Sequence, residues 1–286
     1  MAVIKPTREG LAWLTAKKLP PEPTPDTGSL DWLKEELDEA IVSGEKLWEE
    51  PTTVVSGSAV STSCVRALTF KLLGHRVPFN AKTLRIFRTG RAIEKEIIDN
   101  MRASPVFVDA NIMIAYGREK EPTIVGHADV AVRRKSDDKL LLGEIKSIHE
   151  KAFDRLPEEH QAVLASESPL FKSHERYVKQ LNTYLGGRWY GETDEGFFLF
   201  EAKNTQRQKV YYILFDDVLL RPDLLLCAGA VDFAERQLLA PVPLERDPGG
   251  DDKICSRCDH RYLCKRLPEG EVPLEEVKRE DLRVRG

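Results

Sequence analysis

TIVGHADVAVR (residues 123–133) and LLLGEIKSI (residues 140–148) are the stretches of sequence that decide the fold of this chain. Both are rich in β-branched and apolar residues, and the short polar link between them, 135–139, is typical of a β-hairpin. A second pair of such runs, 196–202 and 209–215, predicts two further strands. We therefore expect a β-sheet at the centre of the molecule.

Segments with helical periodicity lie before, between and after these strands, and one more strand is expected at 106–116. In the second helix, Ser58 is a favourable N-cap and Gly74 a suitable stop. This order of elements predicts an α/β fold in which helices flank a mixed sheet. The predicted helices are 29–49, 58–73, 83–101, 171–186 and 216–238.

Composition divides the chain into four segments. Residues 1–28 carry five prolines and little apolar periodicity, which predicts an extended or mobile arm. Residues 29–80 form a helical segment, and residues 81–240 form the α/β core. Residues 241–286 are rich in proline, glycine and charge and hold three of the five cysteines, which predicts an appended cysteine-rich element.

The overall composition is that of a globular protein with a core, since 41% of residues are hydrophobic and 31% are charged. No apolar run reaches the length of a membrane span (about 18 residues or more), and the first residues lack the apolar stretch of a secretory signal. We therefore expect a cytoplasmic protein. The net charge of −4 does not by itself indicate a nucleic-acid binder, although a local basic surface is compatible with it. The odd number of cysteines argues against a disulfide framework.

Three charged side chains of the predicted hairpin form a candidate catalytic site. Glu144 and Lys146 alternate with Ile145, so a strand directs both charged groups to one face and Ile145 into the core. Pairing of the strands brings Asp129 close to Glu144. Carboxylates, with the backbone carbonyl of Ile145, suit Mg²⁺ or Mn²⁺, and a lysine can support charge on a phosphate. A surface ion pair on an edge strand is the alternative, but the apolar run before Glu144 is more typical of a buried strand.

Cys255, Cys258 and Cys264 bring three thiols into one short loop. This spacing indicates a metal site, and zinc is the usual occupant of sites with four cysteines or with three cysteines and a histidine. Spacing alone leaves the fourth ligand open between His260 and the distant Cys64. The remaining cysteine, Cys227, lies in an apolar run and is expected to be a buried core thiol.

Four motifs, in this order, resemble those of the PD-(D/E)XK nucleases, and within them the RecB-like exonucleases, including the CRISPR-associated iron–sulfur branch and related phage enzymes. They are GRAIE at 90–94, GHAD at 126–129, EIK at 144–146 and QLNTY at 180–184. SGSAVSTSCVR at 56–66 looks like the segment that precedes the core in the iron–sulfur members. The resemblance implies a restriction-endonuclease-like core, a mixed sheet flanked by helices, plus an iron–sulfur element that joins the N- and C-terminal segments.

The resemblance also assigns roles to single residues. Glu94 stands where many members carry a metal-ligating histidine, and it remains a competent oxygen ligand, although alone it would be a solvated helix residue. Gln180 and Tyr184, one helical turn apart, resemble the pair that approaches the site and the DNA strand. A structural place for Tyr184 in a helix interface is the alternative, and His127 is expected to be structural. The implied catalytic residues are Asp129, Glu144, Lys146, Gln180 and Tyr184, and the implied acidic metal ligands are Glu94, Asp129 and Glu144.

The resemblance decides between the two candidates for the fourth ligand of the cysteine site. In the iron–sulfur branch, one cysteine upstream of the core joins three downstream cysteines around a [4Fe–4S] cluster, a group that four thiolates suit. Such a cluster ties an early helix to the end of the chain. The implied cluster ligands are Cys64, Cys255, Cys258 and Cys264.

The function implied is that of a Mg²⁺- or Mn²⁺-dependent deoxyribonuclease, an exonuclease acting on DNA ends or single strands. Helicase, recombination or CRISPR adaptation proteins are the implied partners. Glu94 in place of histidine supports the alternative of a non-catalytic DNA-binding or assembly module with the same fold, and a zinc-stabilised protein with an incidental E-x-K is a third hypothesis. Basic residues on two helices are candidates to meet DNA phosphates: Arg85, Arg88, Arg91, Lys172, Arg176 and Lys179.

Overall fold

The structure, a computed structural model, describes residues 31–44, 46, 48–62, 64–117, 124–187, 193–250, 252 and 254–285. The predicted arm at 1–28 lies outside these residues. The chain has the expected mixed α/β fold, in which a curled sheet is flanked by helices. The described strands are β1 (Val55–Ser56), β2 (Phe107–Tyr116), β3 (Ile124–Arg133), β4 (Leu140–Ile148), β5 (Val163–Leu164), β6 (Glu195–Ala202), β7 (Gln208–Leu214), β8 (Leu238–Leu239) and β9 (Val272–Pro273). The described helices are α1 (Asp31–Val42), α2 (Val65–Leu72), α3 (Ala81–Arg102), α4 (Glu150–Phe153), α5 (Pro169–Leu185), α6 (Asp217–Glu235), α7 (Arg261–Cys264) and α8 (Leu274–Arg285).

The central hairpin predicted from the sequence is confirmed. β3 and β4 pair in antiparallel fashion, from Val130 opposite Gly143 to Arg133 opposite Leu140. β6 lies antiparallel to β7, which confirms the second predicted pair, and parallel to β4. A parallel pair needs a crossover connection, and the segment that contains α5 provides it. Among the described residues the main sheet has seven strands in the order β1-β3-β4-β6-β7-β5, with β2 antiparallel along β3.

The second predicted helix begins later than expected. The prediction of a helix over 58–73 with Ser58 as its N-cap is wrong at the start, because Gly57–Ala59 form a 3₁₀ turn and α2 begins only at Val65. Serine and threonine side chains bind nearby backbone groups in this segment, as Ser61 Oγ does with the carbonyl of Ser58. Such local bonds favour turns over a helix.

The other predicted helices are present with shifted ends, and three described helices, α4, α7 and α8, are additional. α1 ends at Val42, shortly before Gly44, instead of continuing to 49. Gly74, with a φ of 90°, follows α2 as the predicted stop. The longest additional helix is α8, in the segment expected to be a cysteine-rich element, and its buried Leu274 and Val277 lie on one face.

Helices cover both faces of the sheet. On one face α5 packs against β6, where Leu181 and Phe198 belong to one hydrophobic cluster, and on the other face α3 places Ile97 in a cluster with Ile145. A further cluster joins α2, α6 and α8, so the two ends of the described chain share a core. No described helix is long and apolar enough to cross a membrane. The segment boundaries at 80 and 240 stay predictions.

Candidate active site

The candidate site lies at a notch in one edge of β3. β2 pairs along one edge of β3, so β1 and β4 share the other edge. On that edge the pairing with β1 ends at Val125 and the pairing with β4 begins at Val130, which leaves 126–129 unpaired there. The GHAD motif is therefore the segment over which the sheet opens. If the pairing of β3 with β4 continued by one more residue, Asp129 would lie opposite Glu144, but the pairing ends at Val130 and Gly143.

The carboxylate of Asp129 takes the place of the missing ladder bond. Its Oδ2 accepts a hydrogen bond from the backbone N–H of Ile145 at 2.7 Å. In an extended strand the N–H and the carbonyl of one residue leave the backbone on the same side, so the carbonyl of Ile145 also faces the notch. The side chain of Ile145 packs in the core under α3, as predicted. His127, expected to be structural, has an exposed side chain on the unpaired segment.

Glu144 and Lys146 lie on the α5 face of β4, as their alternation predicts. Lys146 Nζ contacts Glu144 Oε2, lies 3.9 Å from Asp129 Oδ2, and lies 5.4 Å from the centre of the Tyr177 ring. Glu144 is only 1% exposed, and in the described structure its other oxygen, Oε1, is buried without a hydrogen-bond partner. A buried polar atom without a partner costs about 1–3 kcal/mol, and more when it is charged. This atom is therefore available to bind a cation or a hydrogen-bond donor.

The carboxyl groups and the lysine of the site have shifted pKa values. Burial raises the pKa of Glu144 to about 7, against the opposing effect of Lys146. Burial also raises the pKa of Asp129, and burial together with Asp129 raises the pKa of Glu94. Burial opposes the charge of Lys146, but its carboxylate neighbours raise the pKa of the ammonium above its usual range, so the lysine stays charged. Three carboxyl groups around one ammonium leave the site short of positive charge.

Glu94 reaches the site from the opposite side of the sheet. α3 crosses β4 closely at Gly90, where an added Cβ would lie 3.5 Å from Ser147 Oγ. One turn further along α3, the half-buried Glu94 lies near enough to Asp129 and Lys146 for their charges to change its pKa. The fold therefore brings Glu94 to the carboxylate pair and does not leave it in solvent.

Gln180 and Tyr184 connect α5 to the site. Gln180 Nε2 donates to Tyr184 OH at 3.0 Å and to Glu144 Oε2 at 3.4 Å. The buried Tyr184 ring lies over two neighbouring glycines, Gly57 just after β1 and Gly126 in β3. An added Cβ at either glycine would lie less than 3.0 Å from the ring. Sequence reasoning assigns no role to these glycines, because only the long-range pairing of β1 with β3 places them side by side.

The donor set of the site fits a hard divalent cation, although the side chains are not arranged around one. In the parts of the chain that the structure describes, no three His, Cys, Asp or Glu side chains are placed to hold a metal ion as they stand. Lys146 engages one oxygen of Glu144, and the backbone of Ile145 engages one oxygen of Asp129. The unpartnered Glu144 Oε1, the neighbouring carboxyl groups and the carbonyl that faces the notch are all oxygen donors. Such donors suit Mg²⁺ or Mn²⁺ once the carboxylates turn inward.

The four cysteines predicted to act together line one cavity of about 310 Å³. Cys64 occupies the N-cap position of α2, Cys255 and Cys258 flank a 3₁₀ turn, and Cys264 ends α7. All four are free thiols. Burial raises the pKa of Cys255 and Cys258, and that of Cys264 to about 11, so these thiols are neutral without a metal.

A buried guanidinium faces these thiols. Arg66 is 1% exposed, and it donates to the carbonyls of Ala240, Pro268 and Gly270 at 2.7, 2.8 and 3.0 Å. It also hydrogen-bonds Cys264, while its Nε is buried without a partner in the described structure. A buried cation is stable only with an anion nearby. The carbonyls and neutral thiols supply none, and the charge of Glu269 has a smaller effect on Arg66 than the cysteines have. The lining therefore fits an anionic occupant such as a metal–thiolate group.

His260 shares the wall of this cavity. Its ring stacks on Phe70, and its Nδ1 lies 3.0 Å from Nδ1 of His75. The structure thus brings both candidates for the fourth ligand, Cys64 and His260, to the cysteine loop. Cys227 is fully buried in the cluster of α2, α6 and α8, as expected for a core thiol, and burial raises its pKa to about 12.

Some of the basic residues predicted to bind DNA phosphates are held in ion pairs with other helices, and others are exposed to solvent. Lys179 is paired with Asp223 of α6 at 2.9 Å, and Arg85 is paired with Asp38 of α1. These two side chains hold helices together. The side chains exposed to solvent are Arg88, Arg91, Lys172 and Arg176.

No protein-family model matches the chain, and no curated protein matches it. Solved structures with a similar arrangement include the crystal structure of SSO0001, with 13% identity over 81% of this chain and 96% of that chain and a TM-score of 0.44. Another is an alkaline exonuclease, LHK-Exo, from Laribacter hongkongensis, also solved in complex with dAMP, with 15% identity over 71% of this chain and 93% of that chain and a TM-score of 0.42. Similarities at this level establish neither family nor activity, so the function rests on the site itself.

Proposed function

We propose that this chain is a metal-dependent nuclease that hydrolyses phosphodiester bonds of DNA, with Asp129, Glu144 and Lys146 at its centre. One observation carries the proposal. The buried Glu144 contacts a charged lysine and lies beside a second carboxylate at a notch in the sheet, and one of its oxygens has no partner in the described structure. Burial of such a charged group destabilises the folded state. Buried charged groups with shifted pKa values cluster at functional sites.

Each residue of the site has a distinct task in this proposal. Glu144, Asp129 and Glu94, with the carbonyl of Ile145, are the groups that would hold Mg²⁺ or Mn²⁺. When bound, such a cation lowers the pKa of water and offsets charge that develops on the phosphate. Lys146 stays protonated, so it serves as a hydrogen-bond donor and positive charge beside the phosphate and not as a base. A water oxygen forms the new bond to phosphorus as the bond between phosphorus and the deoxyribose oxygen breaks. The water gives up a proton, and the departing deoxyribose oxygen takes one up.

Gln180 and Tyr184 position Glu144 in this scheme. The phenol of Tyr184, held against two glycines, fixes the amide of Gln180, and that amide donates to Glu144 Oε2. Lys146 contacts the same oxygen. Both donors therefore leave Oε1 available at the notch.

The recessed carboxylates favour a flexible substrate. Glu144 is almost fully buried and the side chain of Lys146 is 19% exposed, so a single strand or a frayed end approaches them more easily than an intact duplex does. We therefore propose exonuclease action on DNA ends or single strands. The sequence contains no G-x-x-x-x-G-K-[ST] motif, so any unwinding is assigned to a partner such as a helicase, recombination or CRISPR adaptation protein.

We propose in addition that Cys64, Cys255, Cys258 and Cys264 hold a [4Fe–4S] cluster. Two observations support this: the four thiols line one cavity, and the buried Arg66 beside them lacks an anionic partner among its hydrogen bonds. The cavity of about 310 Å³ has room for a group of several atoms, which four thiolates suit. The cluster would link α2 to the C-terminal segment.

Cleavage of end-labelled single-stranded DNA, with and without Mg²⁺ or Mn²⁺, tests the nuclease proposal. We expect cleavage that requires the cation and that falls by about 10²–10³-fold in Glu144→Gln and in Lys146→Ala. Lys95→Ala is the matched control, because Lys95 is exposed on α3 and pairs only with Asp99 in the described structure. Cleavage that persists unchanged in Lys146→Ala would overturn the proposal. DNA binding without cutting by the wild type would support the non-catalytic alternative.

Anaerobic purification with iron and zinc analysis, together with absorption and electron paramagnetic resonance spectra, tests the cluster. We expect iron in the wild type and loss of iron in the serine variant of each cavity cysteine. Cys227→Ala is the control and keeps the iron, because Cys227 lies in the core away from the cavity lining. One zinc per chain and no iron would refute the cluster and favour the zinc hypothesis.

A further inference from the structure

Two cations at the wall of the cysteine cavity form no ion pair in the described structure. Lys71 and Arg176 both line this cavity. In the described part of the chain, Lys71 Nζ bonds only to Thr62 Oγ1, at 3.4 Å, and the exposed Arg176 makes no hydrogen bond or ion pair. Burial lowers the pKa of Lys71, the charge of Asp259 opposes this, and the charge of Arg176 has a smaller lowering effect. The two cations therefore lie close enough to act on each other, and neither forms an ion pair in the described structure.

α5 connects this pair of cations to the candidate active site. Arg176 precedes Gln180 by four residues and Tyr184 by eight, so the three side chains follow one face of the helix at steps of about 6 Å. Gln180 reaches Glu144. Each strand of duplex DNA advances by about 3.4 Å per nucleotide along the helix axis, and an extended single strand advances further. A phosphate close to the cleaved bond would therefore fall beside Arg176.

The segment after β1 borders the same path. Gly57 packs under Tyr184, and Ser61 and Thr62, which follow it, line the cavity. Thr62 Oγ1 accepts the bond from Lys71, and Ser61 Oγ donates to the carbonyl of Ser58. Glu175 also lines the cavity, but its carboxylate is paired with a lysine of α5 at 3.2 Å. The path from the carboxylates to the cavity thus carries hydroxyl groups and unpaired positive charge.

We propose that Lys71 and Arg176 bind the phosphate backbone of a DNA single strand next to the cleavage site, so that the cysteine-bearing region is part of the DNA path. The proposal rests on the proposed nuclease function for the position of the cleaved bond. Its chemistry stands on the contacts above: two cations line one cavity, act on each other's charge, and form no ion pair in the described structure. Arg66 hydrogen-bonds Cys264, whereas Lys71 acts on Cys258 only through its charge, and no effect of Arg176 on a thiol is among the main influences on the cavity cysteines.

Fluorescence anisotropy with end-labelled oligothymidylate measures this binding. The holoprotein is titrated without Mg²⁺ or Mn²⁺ over a range of KCl concentrations. Loss of one phosphate contact lowers the slope of log K against log salt by about 0.7 for a single strand, which is about fivefold in affinity at about 0.1 M salt. We expect this loss for Lys71→Gln and for Arg176→Gln, about 25-fold for the double variant, and near wild-type binding for Arg176→Lys. Arg283→Gln on α8, which removes the same charge outside the cavity lining, should bind as the wild type does.

Two results would overturn the inference. One is an unchanged affinity and salt slope in Arg176→Gln, and the other is a loss of binding that only tracks a loss of iron, since the cations would then serve the cofactor. Because Arg176 is exposed, its variant decides the question even if Lys71→Gln disturbs the cavity. A wild type that binds DNA without cutting it would refute the nuclease proposal, and weakened binding in these variants would still support the phosphate site.

Discussion

Replacement of Gly126 by alanine tests whether Tyr184 is held against the sheet beside the carboxylates. The added methyl carbon would lie 2.6 Å from the Tyr184 hydroxyl and still closer to one ring carbon. The ring has no free space on the side of β1 either, because a Cβ added to Gly57 would lie 2.7 Å from the same hydroxyl. It cannot lift away freely either, because its own helix packs on this face through the buried Leu181 and Leu185. We therefore expect overpacking.

The structure sets the scale of the effect. Overpacking of a buried position costs about 1–3 kcal/mol. A shift of Tyr184 also moves Gln180, whose bond to Glu144 is already long at 3.4 Å. A misplacement of about 1 Å near a reacting group can cost about 10²-fold in rate. Gly126→Ala should therefore unfold about 1–3 kcal/mol more easily and cleave DNA about 10²-fold more slowly, with its need for a cation unchanged.

A double-mutant cycle with Tyr184→Ala separates this effect from general damage. Without the phenol, alanine at position 126 has room, so the same substitution should cost less than about 0.5 kcal/mol. Urea unfolding followed by circular dichroism gives the stabilities, and cleavage of end-labelled single strands gives the rates. Equal costs in the two backgrounds, or a Gly126→Ala variant as stable as the wild type, would refute the contact.

Two further predictions concern the cysteine cavity and His174 of α5. Arg66→Met should lower the free energy of unfolding, measured by urea titration, by at least about 3 kcal/mol. Three carbonyls lose their hydrogen-bond donor, and each buried acceptor left without one destabilises the fold by about 1–3 kcal/mol. Arg66→Lys should restore only part of this, since a lysine lacks the planar fork of donors, and full restoration would contradict the role of the guanidinium. Burial lowers the pKa of His174 below its ordinary 6.5, so the unfolded chain binds more protons there and stability should fall as the pH drops below 6.5. His174→Gln should reduce that fall in urea titrations at several pH values, and an identical pH dependence in the variant would exclude the contribution of His174.

Features that depend on local pattern could be predicted from the sequence. The alternation of Glu144, Ile145 and Lys146 fixes which face each side chain takes, because period two is a property of any extended strand. The β3–β4 hairpin follows in the same way from two apolar runs and a polar link. The burial of Glu144 was also foreseeable, since an apolar run precedes it on the same strand.

Features that depend on distant pairing could not be predicted. The notch exists because β1 and β4 divide one edge of β3, and β1 is a two-residue strand with no signal of its own. The start of α2 at Val65 depends on serine side chains that bind local backbone, a competition that apolar spacing does not reveal. α8 carried a readable signal in the helical spacing of Leu274, Val277 and Asp281, but the prolines and cysteines before it obscured that signal.

The short segment from β1 to α2 explains why the two candidate centres occur in one chain. At its start Gly57 supports Tyr184, and through Gln180 the phenol orients Glu144. At its end Cys64 enters the thiol cavity as the N-cap residue of α2. Cys64 follows Gly57 by seven positions, so at most about 25 Å of chain separates the support of the carboxylate site from the wall of the cysteine site. A group that holds Cys64 therefore limits where Gly57 can lie. The spacing between S-G-S (56–58) and C-V-R (64–66) thus couples the positions of the two centres.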